Sequence, residues 1–74
     1  MFEMRPTQEL IQIALAGGGF TIKASMRPTQ ELIMLANAAA QSGATLTLCG
    51  LTMRSTNELL MIAQAGRGRI VFAD

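Results

Sequence analysis

The 74 residues contain no histidine, tyrosine or tryptophan, and one cysteine, Cys49. A single thiol excludes an internal disulfide and any site built from several thiolates, so a reducing, cytoplasmic setting is expected. With no histidine and no basic neighbour in sequence, Cys49 lacks what activates a catalytic thiolate and reads as a small strand residue open to oxidation. The acids are Glu3, Glu9, Glu31, Glu58 and Asp74, at repeat spacing rather than ligand spacing. A metal site, a cofactor and an acid-base pair in one pocket are therefore not expected, and neither is an enzyme.

Aromatic residues are scarce, with only Phe2, Phe20 and Phe72, and the net charge is +1. That leaves little for stacking on bases and no overall field toward a polyanion. Long apolar runs are missing too. Gln12, Asn37 and Gln41 interrupt them well short of the roughly 20 residues of a membrane span, and the run from Leu10 to Ala16 lacks the length and basic leader of a signal peptide.

What is present in quantity is apolar side chain, 50% of residues against 15% charged, ample for one small core. A domain of this length buries only about 60% of the surface of its unfolded chain, so modest stability is expected.

The dominant feature is internal repetition. Residues 4–11, MRPTQELI, recur letter for letter at 26–33, and residues 53–60, MRSTNELL, are a drifted third version. Arg5 and Arg27 lie 22 residues apart and Arg27 and Arg54 lie 27 apart, so the middle unit carries about one extra helical turn. The chain divides into units of about 1–24, 25–51 and 52–74 within a single α/β repeat domain.

Each unit opens a helix. Thr7, Thr29 and Thr56 suit the N-cap, and Glu9, Glu31 and Glu58 follow in the first turn, where the macrodipole favours acids. A second register puts Pro6 and Pro28 at the first helical position. Apolar residues then recur at helical spacing: Leu10, Ile11, Ile13 and Ala14, then Leu32, Ile33, Leu35 and Ala36, then Leu59, Leu60, Ile62 and Ala63. Gly17, Gly43 and Gly66 are expected to stop the helices, with residues 38–42 supplying the extra turn.

After each stop, residues alternate with period two over 20–24, 45–49 and 69–72, which predicts half-buried strands, and residues 1–4 suggest a further, truncated one. The expected order is βαβαβαβ. Strands joined through helices are parallel neighbours, and crossovers repeated in one direction place all helices on one sheet face. The expectation is a solenoid-like parallel sheet of three or four strands with three helices on one face. The other face stays open and carries Thr21, Lys23, Thr45, Thr47 and Arg69.

In its unit length and in the segment Leu46-Thr47-Leu48-Cys49-Gly50-Leu51, the chain resembles the leucine-rich-repeat class of α/β solenoids. It departs from that pattern at Thr52 and Met53, where an asparagine or cysteine would follow. The resemblance implies protein binding through the open sheet face.

Several residues then stand as candidates. Gly17-Gly18-Gly19 follows a helix instead of feeding one, so it reads as a C-cap and tight turn rather than a phosphate loop. Arg5, Arg27 and Arg54 line the edge where the strands end and are candidate anion-binding residues. The competing reading pairs each with a glutamate, in a ladder that holds the units in register, and the near-zero charge balance favours it. Arg67 and Arg69 belong to a solvated turn at the other edge. Met34 and Met61 occupy outward helix positions where the first unit has Gln12, and together with Thr45, Thr47 and Cys49 they form the candidate interface. The function expected is protein interaction or self-association as a homo-oligomer, without nucleic acid or membrane. The alternatives are an anion binder on the arginine row, or an engineered or consensus scaffold without an evolved partner, against which the drift at Ser55 and Asn57 speaks.

Overall fold

The computed structural model describes residues 4–74. Their elements run α1 (Thr7–Leu15), β1 (Phe20–Lys23), α2 (Thr29–Ser42), β2 (Leu46–Cys49), α3 (Thr56–Gly66) and β3 (Ile70–Ala73). The strands form one parallel sheet in chain order, with Phe20 level with Leu46 and Ile70, and Ile22 level with Leu48 and Phe72. The further strand expected over residues 1–4 falls mainly outside the described residues.

The strand alternation sorts by face. Phe20, Ile22, Leu46 and Leu48 join Leu10, Leu32, Leu35 and Ile62 from the helices in one core, whereas Thr21, Lys23 and Thr45 are exposed on the opposite face. No charged or polar residue is buried among those described. The half-covered sheet is what the polar alternate positions require, because a sheet covered on both sides reads as apolar at every position.

The helix starts differ from both expected registers. Pro6, Pro28 and Ser55 hold the capping positions in extended backbone, and the threonines are the first residues inside the helices. A capping residue needs no amide of its own, so proline fits there. The Pro6 carbonyl accepts from the amides of Glu9 at 3.0 Å and Leu10 at 3.2 Å. Only the third unit has a side-chain cap, in which the Glu58 amide donates to Ser55 Oγ at 3.2 Å. The hydroxyls of Thr7 and Thr29 are thereby left for other work.

Two of the three expected helix stops are glycines with positive φ just past the helix. At the end of α1 the amides of Gly17 and Gly18 donate back to the carbonyls of Ala14 and Ile13, each at 3.0 Å, the paired pattern of a Schellman turn. The third stop is a correction: Gly66 lies inside α3, and the left-handed residue that ends the helix is Arg67, at φ 49°. Gly66 is needed for close packing, since a Cβ there would run into Ile70 Cγ1.

The extra turn of α2 also ties the helices together. Ser42 Oγ donates to the Ala14 carbonyl at the end of α1 and accepts from the Ala44 amide at 3.2 Å.

A second correction concerns the buried face of α3. Leu10 and Leu32 are fully buried, but their counterpart Leu59 is only partly so, as is Ala63 where Ala14 and Ala36 are fully enclosed. The reason is positional: α1 and α2 are each covered by the next helix, and among the described residues no helix comes after α3.

Candidate functional site

The three arginines stand immediately before the helices, on the edge where strands end, and the structure joins them through threonines and backbone. Arg27 donates from Nη1 to Thr7 Oγ1 at 2.7 Å and from Nη2 to the Arg5 carbonyl at 2.8 Å. Arg54 repeats both contacts one unit on, to Thr29 Oγ1 at 2.7 Å and the Arg27 carbonyl at 2.5 Å, and reaches the Ser25 carbonyl at 3.2 Å. Each of these arginines therefore clamps the preceding unit.

The expected glutamate ladder is present only in part. Arg5 pairs with Glu9 of its own helix at 3.2 Å. Glu31 accepts from Thr7 Oγ1 at 2.5 Å, so it acts through the hydroxyl. Arg54 bonds one hydroxyl and two carbonyls and no carboxylate among the described residues. Sequence reasoning assigned the threonines to capping and so missed them as the acceptors of the ladder. The signal was available in Pro6 and Pro28, which already occupy the capping positions.

This geometry gives unequal expectations along the row. Arg54→Ala removes three hydrogen bonds from a partly buried guanidinium and should cost about 1 to 2 kcal/mol, after discounting charge-assisted bonds for solvent. Arg5→Ala breaks an exposed pair and should cost less than about 1 kcal/mol. Urea titrations of the two variants, at low and high salt, check the order and should show Arg54→Ala nearly insensitive to salt. An equal loss at both positions would contradict the clamp.

Beside the arginines lies a row that sequence reasoning passed over. Met4, Met26 and Met53 occupy the same place in each unit and are 87%, 93% and 95% exposed. Met4 and Met26 line a wide shallow groove with Arg5, Lys23, Ser25 and Arg27. The repeated letter before each arginine was the available signal, but period analysis assigns no face to a turn residue.

The other candidates are scattered. Met34 and Met61 are half-exposed on the helices, and Met34 lines the seam between α1 and α2 with Ile11, Leu15 and Ala38. Thr45 is exposed, and Thr47 and Cys49 are half-buried, on the open sheet face. They lie on the side of the sheet opposite the helices that carry the methionines, so the five residues do not form one patch. Arg67 and Arg69 are both exposed near the start of β3.

Among the described residues, no group of three His, Cys, Asp or Glu could hold a metal ion. None of the described helices is long and apolar enough to cross a membrane. Comparison with family models, with curated proteins and with solved structures finds no match to this chain.

Proposed function

We propose that the chain is a non-enzymatic, solenoid-like α/β repeat module whose work is association, with its own kind or with another protein. The observation that carries this reading is the apolar surface left open at the last strand. Phe72 of β3 and Leu60 of α3 are exposed beside a sheet edge on the helix side, where Ile22 and Leu48, level with Phe72, are fully buried, and Val71 is exposed on the opposite face of the same strand. Edge strands offer unpaired amides and carbonyls, and apolar side chains beside them favour a partner over water. The verbatim repeat and the twice-made arginine clamp support the repeat part of the reading.

The anion-binding alternative is weaker. Several guanidinium donors of Arg27 and Arg54 are already bonded to hydroxyls and carbonyls, and a phosphate would have to displace them. Titration with single-stranded oligonucleotide or inorganic phosphate at low salt should show no binding.

The deciding experiment for the main reading is sedimentation across concentration, where the weight-average mass should rise. Replacing Met34 and Met61 together with glutamine should leave the fold intact and the mass curve unchanged, because Met34 covers a helix seam. Weakened association in that variant would move the contact to the helix face. A strictly monomeric protein that also captures no partner from a lysate would sink the association reading.

A further inference from the structure

Each unit of this chain presents a face of the same three parts to the next, and among the described residues the third unit presents it open. In the helix layer, Leu10 and Ala14 of α1 and Leu32 and Ala36 of α2 have no exposed surface, whereas Leu59 and Ala63 of α3 are partly in water. In the sheet, Ile22, Leu48 and Phe72 stand level on the helix side, and they are 0%, 0% and 39% exposed. At the helix starts, Thr7 and the Arg5 carbonyl accept from Arg27, and Thr29 and the Arg27 carbonyl accept from Arg54. Thr56 and the Arg54 carbonyl hold the same places in the third unit, and Thr56 is exposed where Thr7 and Thr29 are half-buried.

The backbone of β3 agrees. Leu46 N donates to Arg69 O at 2.9 Å and Gly50 N to Ala73 O at 3.2 Å. Alternation along the strand then turns the amides of Ile70 and Phe72 away from β2, to the outer side of β3. Behind them Leu51, Leu59, Phe72 and Ala73 line a shallow depression. At the two joints inside the chain an apolar residue enters the core just past the strand, Ala24 after β1 and Leu51 after β2, and both are buried.

We infer that the face made by α3 and β3 is a seat for a further unit of this same build, an arginine-led turn followed by a helix and a strand. This rests on the association reading above and names the kind of partner. The chain makes the joint twice, and the third face repeats the first two in strand direction, in its apolar series and in its acceptors. A lone helix or loop laid there covers Leu59 and Phe72 but leaves the outward amides of β3 without a strand to pair with. Seated on the face, the unit sets its strand parallel to β3, its helix against Leu59, Leu60 and Ala63, an apolar residue in the depression, and its arginine on Thr56 Oγ1 and the Arg54 carbonyl. The joint draws only on residues 51–73 of this chain.

The test continues the chain past Ala73, in place of Asp74, with a second copy of residues 50–74, which keeps the spacing that leads from β2 into α3. A separate extension uses a copy of residues 24–49, which keeps the spacing from β1 into α2. In both, hydrogen exchange at the Ile70 and Phe72 amides should slow by about tenfold or more relative to the unextended chain. Thr56→Val should leave the urea midpoint of the unextended chain where it is and lower that of the extended ones. Arg54→Ala in the added copy should lower it as well, and the two changes together should do no more than either alone, because they break one contact. Unchanged exchange at both amides in both extended chains would overturn the inference, and an added copy that stays unfolded beside the face gives that result. Independent effects of Thr56 and the added arginine would overturn it too. Sedimentation of the unextended chain reads association separately: a mass that rises while neither extension docks sinks this inference alone, and a monomer that captures no partner ends the association reading while docked extensions still uphold the seat.

Discussion

Leu32→Ala should destabilise the protein by about 2 to 5 kcal/mol, the range for truncating a fully buried leucine. Leu32 has no exposed surface and sits on the middle helix, between α1 and α3 and over the sheet, so its neighbours are held on several sides and collapse little into the space left. A chain of 74 residues has a total stability on the order of 4 to 11 kcal/mol, and the variant should lose a large part of it. Leu59→Ala, the same change at the same place in the third unit, should cost less than about 2 kcal/mol in dilute protein, because that leucine is already partly in water. The contrast should shrink as concentration rises if a second molecule covers α3. Urea unfolding at two protein concentrations reads both quantities, and equal losses in dilute solution would mean that α3 is covered by something within the same chain.

Gly19→Ala should cost about 1 to 3 kcal/mol, the range for forcing extra atoms into a close-packed place. A Cβ at Gly19 would stand 2.5 Å from the Thr45 carbonyl oxygen, and a backbone atom cannot swing aside as a side-chain end can. Either the loop before β1 or the one before β2 must move, which disturbs the pairing of Phe20 with Leu46 that begins the sheet. Gly43 makes the control. It has φ 86° and nothing within 4 Å of the added atom, so Gly43→Asn, a residue that tolerates the left-handed region, should cost less than about 1 kcal/mol. Paired denaturation midpoints check this. A mild Gly19→Ala would show that the approach of the two loops is not tight in solution.

Much of the architecture is legible in the chain because its signals are local and stated three times. The change from helical to period-two spacing places α1 to α3 and β1 to β3, and parallel order comes from strands that are each separated by a helix. What was misread are positions where a residue has two uses. Gly66 looked like a helix stop, since glycine after an apolar run usually is one, but it lies within the helix to let Ile70 come close. The threonines looked like caps, since the type and spacing suit a cap, but the residue before each, Pro6, Pro28 or Ser55, already held that place.

The amino-acid sequence by itself determined the number of helices, the strand order, the face of the sheet that is covered and the edge on which the arginines stand, because each is set by spacing along the chain. Only the tertiary structure decided which acceptors the arginines reach, that Met4, Met26 and Met53 project into solvent, and that the third unit remains open where the first two are closed. Those outcomes depend on what stands across from a residue in the next unit, some 20 to 29 positions away, and identical letters meet different neighbours according to whether another unit lies beyond them.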